Sequence, residues 1–152
     1  MDTKQFKSFC RLEFEKQGFR KAKKYYYRIG KDLMCGIDLQ RSNFGPEYYI
    51  NYFYWIGDNW DEKALPSYYD SDIDGRITAM SKTMTYQGSH FLTVQIEYTM
   101  YTEDELRPYV EKAFAEEILP PLVLGKKYIY ENLGKRYSLT LNQEEVLRKL
   151  QA

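Results

Sequence analysis

Three aspartates at alternate positions, in Asp70-Ser71-Asp72-Ile73-Asp74-Gly75-Arg76-Ile77, form the sharpest chemical pattern in the chain. Calcium takes about six to eight hard oxygens, and carboxylates closely spaced on a tight turn ahead of a glycine supply them. The pattern follows the opening of a calcium loop of the EF-hand type. The closing position, which needs a bidentate Glu, is Ser81 here. The preceding Pro66-Ser67-Tyr68-Tyr69 is also a poor entering helix. These residues read better as an acidic turn leading into a strand. Asp70, Asp72 and Asp74 remain a weak metal-loop candidate, expected to bind calcium no better than about millimolar.

A second cluster joins aromatic rings to acids: Tyr54, Trp55, Asp58, Trp60, Asp61 and Glu62. Tyr and Trp concentrate binding energy at interfaces, and nearby acids steer a basic partner. The bland alternative is a pair of tryptophans that anchor a loop. Carboxylates acting on a glycosidic bond would need separations that sequence does not supply. Basic residues Lys21, Lys23, Lys24 and Arg28 interleave with Tyr25, Tyr26 and Tyr27, a pattern that suits single-stranded nucleic acid. The chain is neutral overall and carries no nucleic-acid motif, which argues against that partner. His90 is the only histidine, and no Ser or Cys stands at motif spacing from it. Cys10 and Cys35 cannot complete a tetrahedral zinc set with one histidine, so both are expected as buried free thiols. No catalytic residue and no cofactor is assigned.

The charge is unevenly spread. Residues 1–31 hold ten Lys/Arg against Asp2, Glu13 and Glu15, a net of +7. Residues 32–75 hold only Arg41 and Lys63 against nine acids, a net of −7. Such a chain either pairs its halves internally, the simpler expectation, or has a dipolar surface. At 152 residues it is expected to form one domain over 1–152. There is no apolar run of the ~20 residues that spans a bilayer, and Met1 leads into Asp2, Lys4 and Lys7. A cytoplasmic location with no membrane partner is the expectation, and a reducing compartment fits two cysteines.

The elements that must position these groups are legible from periodicity. Phe6, Phe9, Cys10 and Phe14 predict a helix over residues 2–17, ended by Gly18. Residues 25–29, 33–39 and 48–56 read as strands joined by short turns, the last aromatic on both faces. Residues 57–75 read as a long loop, and residues 76–86 and 90–98 as a second hairpin. Thr102 with Glu105 forms a capping box for a helix whose stripe is Leu106, Tyr109, Val110, Ala113, Phe114 and Ile118. Pro108 complicates its start, and Pro120-Pro121 is expected to end it. Residues 123–133 are a weaker helical segment, and Asn142 with Glu145 caps a last helix. The fold class is α+β: an antiparallel, largely meandering sheet of about five strands, covered by the N-terminal helix and the C-terminal helices.

Several short motifs also carry a family resemblance. Glu15-Lys16-Gln17-Gly18-Phe19-Arg20-Lys21, Tyr25-Tyr26-Tyr27-Arg28, Ile37-Asp38-Leu39-Gln40-Arg41-Ser42 and Tyr49-Ile50-Asn51 resemble a bacterial family known as domain of unknown function 4304. The resemblance covers roughly the first 60 residues and continues beyond them only in element order. It implies a small cytoplasmic bacterial α+β domain, similar in style to immunity proteins that neutralise toxins, and it brings no catalytic residue. Gln40 and Asn51 are expected to hydrogen-bond backbone or each other, or to form a polar site on the sheet.

Two functions follow as expectations. The first is a protein-binding module of the immunity type, gripping a basic protein such as a toxin through the acidic aromatic region. The alternative is a small-ligand binder or enzyme with a pocket over the aromatic sheet. Homo-oligomerisation is left open.

Overall fold

The computed structural model describes residues 1–78, 82–86, 89–139 and 143–152, with residues 82–86 and 89–93 described by their backbone alone. Ser81, the cap residue Asn142, the turn at Gln87-Gly88 and the His90 side chain lie outside the described residues.

Helix α1 (Thr3–Lys16) begins with a reciprocal cap. Asp2 Oδ1 accepts from the Gln5 N–H at 2.8 Å, and Gln5 Oε1 accepts from the Asp2 N–H at 2.9 Å. Phe6, Phe9, Cys10 and Phe14 are buried along one stripe. Gly18 adopts φ +83°, which a side chain would resist, and this turns Phe19 into the core.

The chain then builds strands β1 (Arg20–Ala22), β2 (Tyr25–Ile29), β3 (Leu33–Arg41), β4 (Tyr48–Ile56) and β5 (Ile73–Arg76). Next come β6 (Lys82–Tyr86) and β7 (Ser89–Thr93), and later β8 (Ser138–Leu139). The main sheet has the order β1-β2-β3-β4-β5-β8, with every neighbouring pair antiparallel. The fold class is α+β. The expected second hairpin is divided: β6 and β7 pair with each other in a separate two-stranded sheet, while Ile96 makes only a bridge to Tyr48. The strand that does join the meander, β5, starts earlier than periodicity suggested. Its apolar alternation, Ile73 to Ile77, is interrupted at Gly75, where the Tyr52 ring fills the side-chain space; a Cβ there would sit 2.5 Å from the Tyr52 hydroxyl.

Helices α2 (Glu103–Ala113), α3 (Leu119–Leu124), α4 (Lys126–Glu131) and α5 (Gln143–Gln151) follow β7. With α1 they bury one face of the sheet. Leu33, Cys35, Ile37, Ile50, Tyr52 and Tyr54 from that face join Phe14, Leu106, Phe114, Ile129 and Val146 in one cluster. The capping box holds: Thr102 Oγ1 accepts from the Glu105 N–H at 3.2 Å, and α2 passes through Pro108 without ending. Of the expected stripe, Tyr109 is exposed while the others are buried.

Pro120-Pro121 does not end the helical run. Residues Phe114–Ile118 widen into a π-turn, and the prolines open α3 at its first turn, where a missing N–H is tolerated. Two prolines deprive the carbonyls of Glu116 and Glu117 of their usual donors four residues on. Those carbonyls are satisfied from outside the helix. Arg136 Nη1 donates to Glu116 O at 3.0 Å, and the hydroxyls of Tyr137 and Tyr54 donate to Glu117 O at 3.2 and 3.3 Å. Tyr54 also donates to Ile118 O at 2.8 Å. Burial pushes the hydroxyls of Tyr54 and Tyr137 up, so both stay protonated donors.

The expected pairing of basic and acidic halves is not made: among the described residues no ion pair joins residues 1–31 to residues 32–75. The buried Glu13 instead receives Lys16 Nζ at 2.7 Å and Arg107 Nε at 3.1 Å, tying α1 to α2. No described helix is long and apolar enough to cross a membrane.

Candidate functional site

The second face of the sheet positions the candidate groups, and it divides into a closed half and an open half. In the closed half, Tyr27, Met34, Phe53 and Trp55 form a small apolar cluster, covered by Trp60 and Leu65 from the loop after β4. The Trp55 ring lies over Gly36, where a Cβ would approach it to 2.8 Å. Trp55 Nε1 donates to Ser67 O at 3.0 Å, Trp60 Nε1 donates to Gly57 O at 3.1 Å, and the Tyr25 hydroxyl donates to Pro66 O. Residues 57–72 are thus a lid over apolar strand residues, held by indole and phenol donors.

This corrects part of the expected partner site. Tyr54 and Trp55 are buried on opposite faces of β4, and Trp60 is half-buried against the small cluster. All three rings are structural. Asp58, Asp61 and Glu62 are exposed, with Asp61 Oδ1 accepting from the Lys63 N–H in a local turn at 2.9 Å. Tyr25 and Tyr27 likewise pack in the small cluster while Tyr26 packs in the main core, so these rings form no stacking platform.

The aspartate triplet also separates. Asp70 is exposed, and Asp74 stands on β5 opposite Phe53. Asp72 is buried, with Oδ2 accepting from the Ile56 N–H at 2.8 Å and Oδ1 receiving Lys149 Nζ at 2.9 Å. Asp72 closes the end of β4 and ties it to α5. No group of three or more metal-binding side chains converges among the described residues. Cys10 and Cys35 are buried free thiols, and burial pushes both thiols up and away from reactive thiolate.

The open half carries a polar ladder that the paired motifs foreshadowed only partly. In register, β3 sets Asp38 opposite Asn51 and Gln40 opposite Tyr49, and β5 sets Arg76 opposite Asn51. Asn51 Nδ2 donates to Asp38 Oδ1 and to Gln40 Oε1, both at 2.9 Å. Arg76 Nε donates to Asn51 Oδ1 at 2.9 Å, and its Nη2 donates to Gln40 Oε1 at 2.8 Å. The guanidinium lies 4.0 Å from the centre of the Tyr49 ring. Burial pushes the Asp38 carboxyl up, opposed by the Asn51 hydrogen bond and by Arg76. Sequence found Gln40 and Asn51 but missed Asp38 and Arg76; the alternation of β3 was the available signal for Asp38.

Beside this ladder runs a groove of about 530 Å³, lined by Asp38, Gln40, Asn51, Phe53, Tyr68 and Arg76. Tyr68 forms its wall, with its ring 5.5 Å from Phe53 and 3.9 Å from Tyr69. Tyr69 is 81% exposed. The ladder's own donors are largely spent internally. The free Asp38 oxygen, the Asp74 carboxylate and the Tyr68 ring face incoming groups, an arrangement that accepts cations. A second cleft opens on the helix side of β5, beside Tyr52 and Arg136.

Residues 11–123 match the family described as Domain of unknown function (DUF4304). No curated protein and no solved structure matches. The matched span runs from α1 to α3, well beyond the first 60 residues, and contains every residue of the groove. The chain belongs to the DUF4304 family.

Proposed function

We propose that the protein is a protein-binding module, of the immunity type in a bacterial cytoplasm, which grips a basic partner through the outer surface of the lid and the adjoining open half of the sheet's second face. One observation carries this reading: an acidic, aromatic surface that the fold leaves uncompensated. Asp58, Asp61, Glu62, Asp70 and Asp74 are exposed and make no ion pair among the described residues. Tyr68 and Asp74 line the groove, and the exposed Tyr69 and Asp70 follow Tyr68 in the chain. Exposed acids of one sign speed the arrival of a basic protein, and two adjoining tyrosines supply contact area at low entropic cost. The groove would take a Lys or Arg side chain between Tyr68 and the Asp38 carboxylate. The expected surface thus moves from the tryptophans to Tyr68, Tyr69 and the acids around them.

The test compares captured partners. Immobilised wild type and the variant Tyr69→Ala/Asp70→Lys are exposed to lysate of the native host at low and at physiological salt, and bound proteins are identified. A basic partner retained by wild type, released by salt and lost from the folded variant is expected. A folded variant that retains the same proteins as wild type overturns the reading.

A further inference from the structure

The cleft on the helix side of β5 is a second site, of different chemistry. It encloses about 620 Å³, a volume in the range that holds small ligands, between β5, the π-turn and the segment that follows α4. Its floor is the Tyr52 side chain. That residue is 5% exposed, its hydroxyl lies against Gly75, and it makes no hydrogen bond among the described residues. The neighbouring core-face hydroxyls of Tyr54 and Tyr137 are both bonded to carbonyls of the π-turn. No side-chain oxygen or nitrogen is both fully buried and unpaired among the described residues, so the Tyr52 hydroxyl is open to the cleft it lines and can pair with a group placed there.

The charges around the cleft decide the class of ligand. Glu117 is committed: its carboxylate accepts from the Thr78 N–H at 2.9 Å and from Thr78 Oγ1 at 2.7 Å. Asp74 and Arg76 stand opposite Phe53 and Asn51, so their side chains belong to the other face of the sheet. The Glu117 carboxylate keeps its charge but is directed at Thr78, and the two remaining charged side chains from the segment after α4 are cationic. Lys135 is exposed without an ion pair among the described residues, and Arg136 uses only Nη1, on Glu116 O. Asn132 has donated its amide to Tyr128 O, leaving its carbonyl as an acceptor.

We propose that this cleft binds a small phosphate-bearing molecule. Its phosphate would sit between Lys135 and the free edge of the Arg136 guanidinium, and a hydroxyl of the same molecule would reach the Tyr52 hydroxyl and the Asn132 carbonyl. A planar guanidinium beside an ammonium matches phosphate oxygens, and the polar floor matches a hydroxylated body. The cleft and the acidic groove share the border residues Asp74, Gly75 and Arg76 of β5 but open on opposite faces of the sheet and have opposite charge preferences.

Ribose 5-phosphate and inorganic pyrophosphate serve as probes, with ribose as the uncharged control, in titrations followed by backbone amide chemical shifts. Saturable shifts at Gly75, Asn132 and Arg136 are expected with ribose 5-phosphate and not with ribose. Lys135→Ala should weaken binding about tenfold. Tyr52→Phe, which removes a hydroxyl that bonds nothing among the described residues, should weaken ribose 5-phosphate several-fold and leave pyrophosphate unchanged. Neither phosphate giving saturable shifts at these amides, or Lys135→Ala binding as wild type does, overturns the proposal.

Discussion

The two faces of β4 are about equally aromatic, yet they use their rings in different ways. On the helix side, Tyr48 and Tyr54 enter the main core with Phe6, Tyr98 and Tyr137 around them. The Tyr54 hydroxyl also closes the π-turn. On the other side, Phe53 and Trp55 are covered only by a loop, and Tyr49 lies under Arg76 in the polar ladder. The difference lies in what satisfies each polar tip. A tyrosine can be wholly interior when its hydroxyl replaces a donor that the backbone lacks, and here two prolines create that need. Aromatic richness is therefore no measure of exposure, and one strand serves a core, a lid and an open surface.

The comparison is broken most directly at Tyr54. Tyr54→Ala should destabilise by about 3–5 kcal/mol, the range for removing a buried aromatic ring. Tyr54→Phe keeps the ring but leaves Ile118 O without this donor, and should cost about 1–3 kcal/mol. Denaturant unfolding measures both. A Phe variant as stable as wild type would show that the hydroxyl does not support the π-turn.

On the second face the sensitive position is Gly36. Its substitution by Ala forces a Cβ into the Trp55 ring, which is fixed by its bond to Ser67, and overpacking of this kind costs about 1–3 kcal/mol. The lid over residues 57–72 should then become sensitive to limited proteolysis before the core does. Equal protease resistance in Gly36→Ala and wild type would mean that Trp55 does not hold the lid.

The clearest elements were legible: α1, β3 and α2 came from apolar periodicity, β2 and β4 from their aromatic residues, and the start of α2 from the Thr102 capping box. What was not legible has local causes. β5 hides because Gly75 stands where its apolar period needs a side chain, and Tyr52 fills the gap. The helix past Pro120-Pro121 hides because its carbonyls are satisfied by Tyr54, more than sixty residues earlier, and by Arg136 and Tyr137 later. At the candidate site, sequence named rings that the fold buries. Trp55 and Trp60 carry the stronger interface signature, whereas Tyr68 and Tyr69 are the ones left outside. Lys135 and Arg136 gave no motif, since only the return of the chain beside β5 brings them to Tyr52.

A smaller effect is expected from Asp38, whose carboxyl is pushed up by burial in the ladder. The native state then holds this proton more tightly than the unfolded chain, whose carboxylate titrates at about 4. This group's contribution to stability is therefore greatest below that value and declines as pH rises through the raised native one. Asp38→Asn should remove this decline. Asp38 is only half-buried, so the change should stay below about 1 kcal/mol. Urea unfolding of both proteins from pH 3.5 to 7 measures it. A variant with the same slope as wild type would assign the pH dependence to other carboxylates.

The smallest effect should come from the surface proposed for the partner. Asp58→Asn, Asp61→Asn and Tyr69→Ala combined alter exposed groups that hold no strand or helix, and only the Asp61 turn to Lys63 loses a local hydrogen bond. Surface changes of this kind stay within about 0.5 kcal/mol each. Asn keeps an acceptor for that turn, so the melting temperature should move by no more than a few degrees. Adding Trp60→Ala to the set should change this outcome, because Trp60 covers Phe53 and Trp55 and its indole holds Gly57. The two sets separate the lid from the surface. If the first set alone unfolds the protein, the exposed acids are structural and the lid's outer surface is not free for a partner. If adding Trp60→Ala has no further effect, the closed half is not closed by Trp60, and the division of the second face into lid and docking surface fails.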